Sequence, residues 1–178
     1  MIRRASLLGD KEATFSDDSL HRYTLTRVLR PTATPRRLLS IGLNPSTATH
    51  ELDDNTIRKE TKFARAWGFD VYEKGNLFGF RSTDPRGLLE ADDPYGDPDN
   101  IEEILRLACG ASLVLAAWGG PYQPKPLARM VAARAREVTR RLVEAGIALH
   151  CLAVTKDGFP RHPLYLPDAS TPQVWSSP

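Results

Sequence analysis

The chain has 178 residues, of which 41% are hydrophobic and 26% charged, and its formal net charge is +2. That length suits one domain with a real core, and no apolar run approaches the roughly 18–20 residues of a membrane helix. So small a net charge excludes a globally basic nucleic-acid binder, and any such role requires a local basic face.

Met1-Ile2-Arg3-Arg4 opens the chain without an apolar stretch long enough for a secretory signal, so a cytoplasmic protein is expected. Residues 1–19 are polar, weakly patterned, and read as an N-terminal extension. Residues 20–170 read as a single α/β domain and 171–178, rich in Pro and Ser, as a C-terminal tail. "LHRYTLTRVL" (20–29) alternates around Tyr23, Leu25, Arg27 and Leu29, which predicts an early strand. "RPTATPRR" (30–37) is a turn or loop, and "LLSIGL" (38–43) is a short, buried strand.

Asp53, Asp54 and Asn55 offer N-cap oxygens before "TIRKETKFARAWG", where Ile57, Phe63, Ala64 and Trp67 fall near helical spacing and Gly68 is a stop. "DVYEKGNLFGF" (70–80) is the next strand, leading into a proline-rich surface loop over 81–100. Long ordered loops in compact domains are often functional. Asn100 is placed to cap a helix over "IEEILRLA". "SLVLAAWGG" (112–120) is a buried strand, residues 125–146 form a long amphipathic helix, and "IALHCLAV" (147–154) is a third buried strand before the loop "TKDGFPRHPLYLP".

Alternating strands and helices predict a three-layer α/β/α sandwich around a central, mainly parallel sheet. Ligands of such sheets bind at the carboxyl ends of the strands. Asn44-Pro45-Ser46, Asn76-Leu77-Phe78, Trp118-Gly119 and Arg161-His162-Pro163 all stand at or near strand ends, so they converge on one rim.

The two cysteines, Cys109 and Cys151, lie in apolar segments and read as buried reduced thiols. Two thiols alone cannot hold an iron–sulfur cluster or an all-cysteine zinc site. Asp53 or Asp54 has a capping role and Asp84-Pro85 reads as a turn, so no metal site is assigned. Neither a phosphate-cradling glycine loop nor a Gly-x-Ser-x-Gly elbow is present.

"GLNPS" (42–46), "NLFGFR" (76–81), "LVLAAWG" (113–119) and "HPLYL" (162–166) resemble, in order and approximate spacing, the motifs of the uracil-DNA glycosylase superfamily. More closely, "LNPSTA", "NLFGFRSTDP", "AWG" and "DGFPRHPLYL" resemble the bacterial DUF1643 family, over roughly residues 20–170. The resemblance implies a glycosylase-like fold and hydrolysis of the N-glycosidic bond of a flipped base, leaving an abasic site. It implies that Asn44 orients the attacking water, that His162 donates to the departing pyrimidine, and that Asn76 reads the base edge. An amide cannot act as a general base near neutral pH, so the leaving group must be well activated.

Uracil enzymes of that superfamily carry a Tyr that blocks pyrimidine C5, where this chain has Ser46. The expected substrate is therefore a C5-substituted pyrimidine, with glucosylated hydroxymethylcytosine of phage DNA and a role in anti-phage defence as the sharpest form of the expectation. Phe78 is a candidate to stack on the base, with core packing as its other reading. Leu164 and Tyr165 offer apolar side chains to fill the vacated stack, and Lys156 and Arg161 flank them toward phosphate. Arg129, Arg136 and Arg140 share a helix face beside Arg134 and Arg141, read either as a phosphate contact or as a solvated face. The expected partner is DNA, duplex or single-stranded, bound by a monomer without cofactor, metal or membrane. Two other readings stand beside this one: an enzyme acting on a free nucleotide or nucleoside, and a non-catalytic reader of modified bases.

Overall fold

A computed structural model of the chain describes residues 1–46 and 52–176. Its strands are β1 (Ile2–Ala5), β2 (Lys11–Phe15), β3 (Arg22–Val28), β4 (Arg37–Gly42), β5 (Val71–Asn76), β6 (Leu113–Ala116), β7 (Leu149–Cys151) and β8 (Gln173–Val174). They form one sheet in the order β1-β2-β3-β5-β4-β6-β7-β8. The β5–β4, β4–β6 and β6–β7 pairings are parallel. The β1–β2, β2–β3, β3–β5 and β7–β8 pairings are antiparallel.

The α/β class holds, but the sheet is mixed rather than mainly parallel. The reason lies in the two terminal segments, which join the sheet instead of standing outside it. No helix lies between β1 and β3 to make a parallel crossover, so these strands return by short turns and pair antiparallel. Every residue of β1 is exposed, as befits an edge, and this is why residues 1–19 lack an apolar rhythm. At the other end β8 pairs with β7, and the buried Trp175 packs edge-on against Trp118, with ring centroids 5.3 Å apart.

The helices are α1 (Asn55–Ala66), α2 (Asp99–Gly110) and α3 (Lys125–Glu144). Asp54 caps α1, its carboxylate accepting from the Ile57 amide at 2.8 Å. Gly68 then takes φ +75°, a left-handed conformation that ends the helix. Neighbouring residues of a strand point to opposite faces, and the core divides accordingly. Leu38, Tyr72 and Leu115 pack with Ile57, Phe63 and Ala64 of α1. Leu39, Ile41 and Val114 pack with Ile104 and Leu107 of α2 and with Val131 and Val138 of α3. Each such side chain contributes about 1.5–3 kcal/mol by leaving water.

Asn100 and Arg134 do something other than expected. Asn100 lies inside α2 rather than capping it, and its Nδ2 donates to the carbonyls of Asn76 (3.2 Å) and Leu77 (3.3 Å). Arg134 is buried rather than part of a surface row; it donates to the Leu77 carbonyl at 2.8 Å and pairs with Asp97 at 2.7 Å. Together they clamp the chain where β5 ends. Among the described residues no helix is long and apolar enough to cross a membrane.

Candidate active site

A cleft of about 530 Å³ opens at the carboxyl ends of the parallel strands. Asn44 and Ser46 follow β4, Asn76 ends β5, Gly119 follows β6, and His162 follows β7; all of them line it. This convergence is what parallel strands impose on the residues just beyond them. The 81–100 segment also contributes, through Ser82, Thr83 and Pro85.

Asn44 is held by its amide nitrogen, which donates to the Ser82 carbonyl at 2.7 Å and to the Pro45 carbonyl at 3.2 Å. Its Oδ1 remains as the acceptor with free capacity, suited to a water molecule. Asn76 is 2% exposed, and its Nδ2 has no hydrogen-bond partner among the described residues. A buried unpaired amide costs about 1–3 kcal/mol, and a ligand acceptor in the cleft would relieve it.

His162 caps the short 3₁₀ turn Pro163–Tyr165, its Nδ1 accepting from the Leu164 amide at 3.3 Å. An accepting Nδ1 leaves the proton of the neutral ring on Nε2, ready to be donated. Burial, and then the charge of Lys74, push the imidazole below its ordinary pKa, so the neutral form prevails at pH 7.

Several cleft residues escaped the sequence reading. Lys74, in the middle of β5, lines the cleft, and its Nζ meets both carboxylate oxygens of Glu60 at 2.8 Å and Ser40 Oγ at 3.3 Å. Tyr72 also donates to Glu60, and burial holds its phenol well above the ordinary pKa. The signal was present in "VYEKGN": charged residues inside a strand covered on both faces require partners. Arg22 also lines the cleft and is 4% exposed. A register shift on β3 places it there. Phe15 pairs with Arg22 and skips Tyr23, which returns Arg22 to the face of Leu25, the residue opposite Lys74. Gly42 supplies the close approach at the floor. A Cβ there would stand 2.8 Å from Asn76 Oδ1 and 2.9 Å from Lys74 Nζ.

The other expected residues divide. Ser46 lines the cleft and donates to Asp54 at 3.1 Å. Arg161, Leu164 and Tyr165 also line it, and Tyr165 is 75% exposed at the rim. Phe78 does not face the cleft. It is wholly buried in the core, 5.4 Å from the Tyr95 ring: β5 ends at Asn76, so the period of two does not carry on to Phe78, and Asn100 and Arg134 hold the chain there through the Asn76 and Leu77 carbonyls. Lys156 sits on an exposed turn beyond the cleft lining, within the loop closed by the Thr155 amide on the Phe159 carbonyl. Thr47 and Ala48 of the "LNPSTA" stretch lie outside the described residues. Of the aspartates, Asp53 pairs with Arg27 at 2.8 Å, Asp54 caps α1, and Asp84 pairs with Arg86 at 2.6 Å.

A family model described as "Protein of unknown function (DUF1643)" matches residues 22–164. No curated protein and no solved structure matches the chain.

Proposed function

The chain belongs to the DUF1643 family, described as of unknown function, and from the geometry of its cleft we propose that it is a monofunctional DNA glycosylase acting on a flipped, C5-substituted pyrimidine. The observation that carries the reading is the meeting of Asn44, Asn76 and His162 around one cleft of about 530 Å³, although 118 positions separate the first from the last. A volume in that range holds a single heterocycle with its sugar. The resemblance to the uracil-DNA glycosylase superfamily supports the same reading. We take α1 on one face, and α2 with α3 on the other, as the outer layers of an α/β/α sandwich.

In this mechanism the glycosidic bond lengthens toward an oxocarbenium-like sugar while negative charge gathers on the departing base. His162 Nε2–H donates to the pyrimidine oxygen, and the Asn76 amide donates to the base edge. Asn44 Oδ1 holds the attacking water, whose proton leaves to solvent once the C–O bond forms. Ser46 leaves room at C5 where a tyrosine would close it. Tyr165 at the rim fills the gap in the base stack, and Arg161 meets phosphate. A monomer working on DNA in anti-phage defence is the biological form of the proposal.

The test is product analysis. Oligonucleotides carrying uracil, a thymine mismatch, hydroxymethylcytosine or glucosylated hydroxymethylcytosine are incubated with the protein and scored for free base and alkali-labile abasic sites. Asn44→Ala and His162→Ala each lower base release by about 10²–10³ while the protein stays folded. No abasic product from any of these substrates sinks the proposal. A second reading, hydrolysis of a free nucleotide, draws on the cations Arg22 and Lys74 in the cleft wall. Affinity for DNA that falls steeply with salt argues against it.

A further inference from the structure

We propose that Arg22 is an anion anchor: the nucleotide bound in the cleft carries an oxyanion, on a phosphate or on an acidic base substituent, that pairs with this guanidinium. The inference rests on the preceding reading for the ligand being a nucleotide; the anion site itself rests on separate observations.

The buried cations Arg22, Arg27, Lys74 and Arg134 are each 5% exposed or less. Three of them have carboxylate partners: Arg27 with Asp53 at 2.8 Å, Lys74 with Glu60 at 2.8 Å, and Arg134 with Asp97 at 2.7 Å. Among the described residues the Arg22 side chain forms no ion pair and no hydrogen bond. Asp54, a carboxylate that shares the cleft lining, is committed elsewhere: Oδ1 accepts from the Ile57 amide at 2.8 Å and Oδ2 from Ser46 at 3.1 Å.

An unpaired buried charge is strongly unfavourable. Burial pulls the Arg22 pKa down to about 10, which still leaves it charged at pH 7. Its five N–H donors in a planar fork match an oxyanion in two-point contact. Among the described residues of its lining, Arg22 and Arg161 stand against Asp54, while Lys74 is paired with Glu60 behind the wall. Lys74 gives its donors to Glu60 and Ser40, so among the buried cations of the lining Arg22 is the one with donors to spare. The shift in register that turns this side chain toward the cleft is the kind of local irregularity that re-aims a functional residue.

Binding of three probes, inorganic phosphate, 2′-deoxycytidine 5′-monophosphate and 2′-deoxycytidine, is measured by calorimetry at fixed ionic strength. The monophosphate binds at least about tenfold tighter than the nucleoside, as one charge-assisted contact provides. Arg22→Met removes that preference and leaves nucleoside affinity unchanged, while Arg22→Lys keeps part of it. Without ligand, Arg22→Met also melts at a higher temperature than the wild type, since an unpaired buried charge has gone; a purely structural arginine would give the reverse. 5-Carboxy-2′-deoxycytidine locates the anion: preference for it over the monophosphate assigns the charge to the base. Equal binding of charged and neutral probes overturns the proposal. So does no binding of any anion at millimolar concentration, or an Arg22→Met loss shared equally by both. Base release is followed in parallel. Anion binding without base release retires the glycosylase reading alone, and wild-type base release with wild-type substrate affinity by Arg22→Met retires the anchor alone.

Discussion

Replacing Lys74 by Met tests the electrostatics beneath the cleft. The wild-type ammonium meets both oxygens of Glu60 at 2.8 Å and Ser40 at 3.3 Å, in a region where Lys74 is 5% and Glu60 1% exposed. Removing one partner of a buried pair costs about 3–5 kcal/mol, because the other charge is left without compensation. A domain of this size holds about 5–15 kcal/mol in total, so the variant loses a large share of its stability. Urea denaturation should show a lower midpoint at unchanged slope. The double variant Lys74→Met/Glu60→Leu should recover most of the loss, since neither charge then remains. A second consequence reaches the site: the Lys74 charge helps hold His162 below its ordinary pKa, so the single variant should raise the His162 pKa in an NMR titration. A loss under about 1 kcal/mol, the size of an exposed pair, or a double variant no better than the single, refutes the reasoning about burial. An unmoved His162 refutes the link between Lys74 and the imidazole.

Gly42→Ala places a methyl 2.8 Å from Asn76 Oδ1; overpacking of this kind costs about 1–3 kcal/mol. Nucleoside binding should fall with it, and wild-type affinity in this variant would show that the floor is not where the ligand sits. Ser46→Tyr should close the space at C5, lowering excision of C5-substituted bases by about tenfold or more relative to uracil; an unchanged ratio removes Ser46 from specificity. His162 has a folded pKa below its unfolded value of 6.5. Its contribution to stability is therefore complete above pH 6.5 and lost as the pH falls through the depressed folded value. Base release should stay level from about pH 7 to 8 and decline on the acid side of the ordinary histidine pKa; a decline centred above that value contradicts the neutral donor.

Much of the site was legible because its residues stand beside strong local signals. Asn44 and Ser46 follow an apolar run that can only be a buried strand, and Asn76 ends another, so their place at a sheet rim follows from period and length. Asp54 was legible as a cap for the same reason, with an apolar helical face beginning just after it. Phe78 shows the limit of such reasoning. Two residues from Asn76, it would share the cleft face if the strand ran on, but β5 ends at Asn76 and the clamp by Asn100 and Arg134 redirects the chain, leaving the ring in the core.

The sequence by itself determined the α/β class, the three helices, the buried strands β4 to β7 and the convergence of Asn44, Asn76 and His162. Those follow from hydrophobic period and from residues at strand ends, which are local properties of the chain. The tertiary structure alone decided that the terminal segments complete a mixed sheet, that Lys74 is neutralised by Glu60 from α1, and that Arg22 turns into the cleft with no ion-pair partner among the described residues. Strand order, register and ion pairing join residues far apart in the chain. The free energy that selects them lies in contacts that exist only once the sheet has formed.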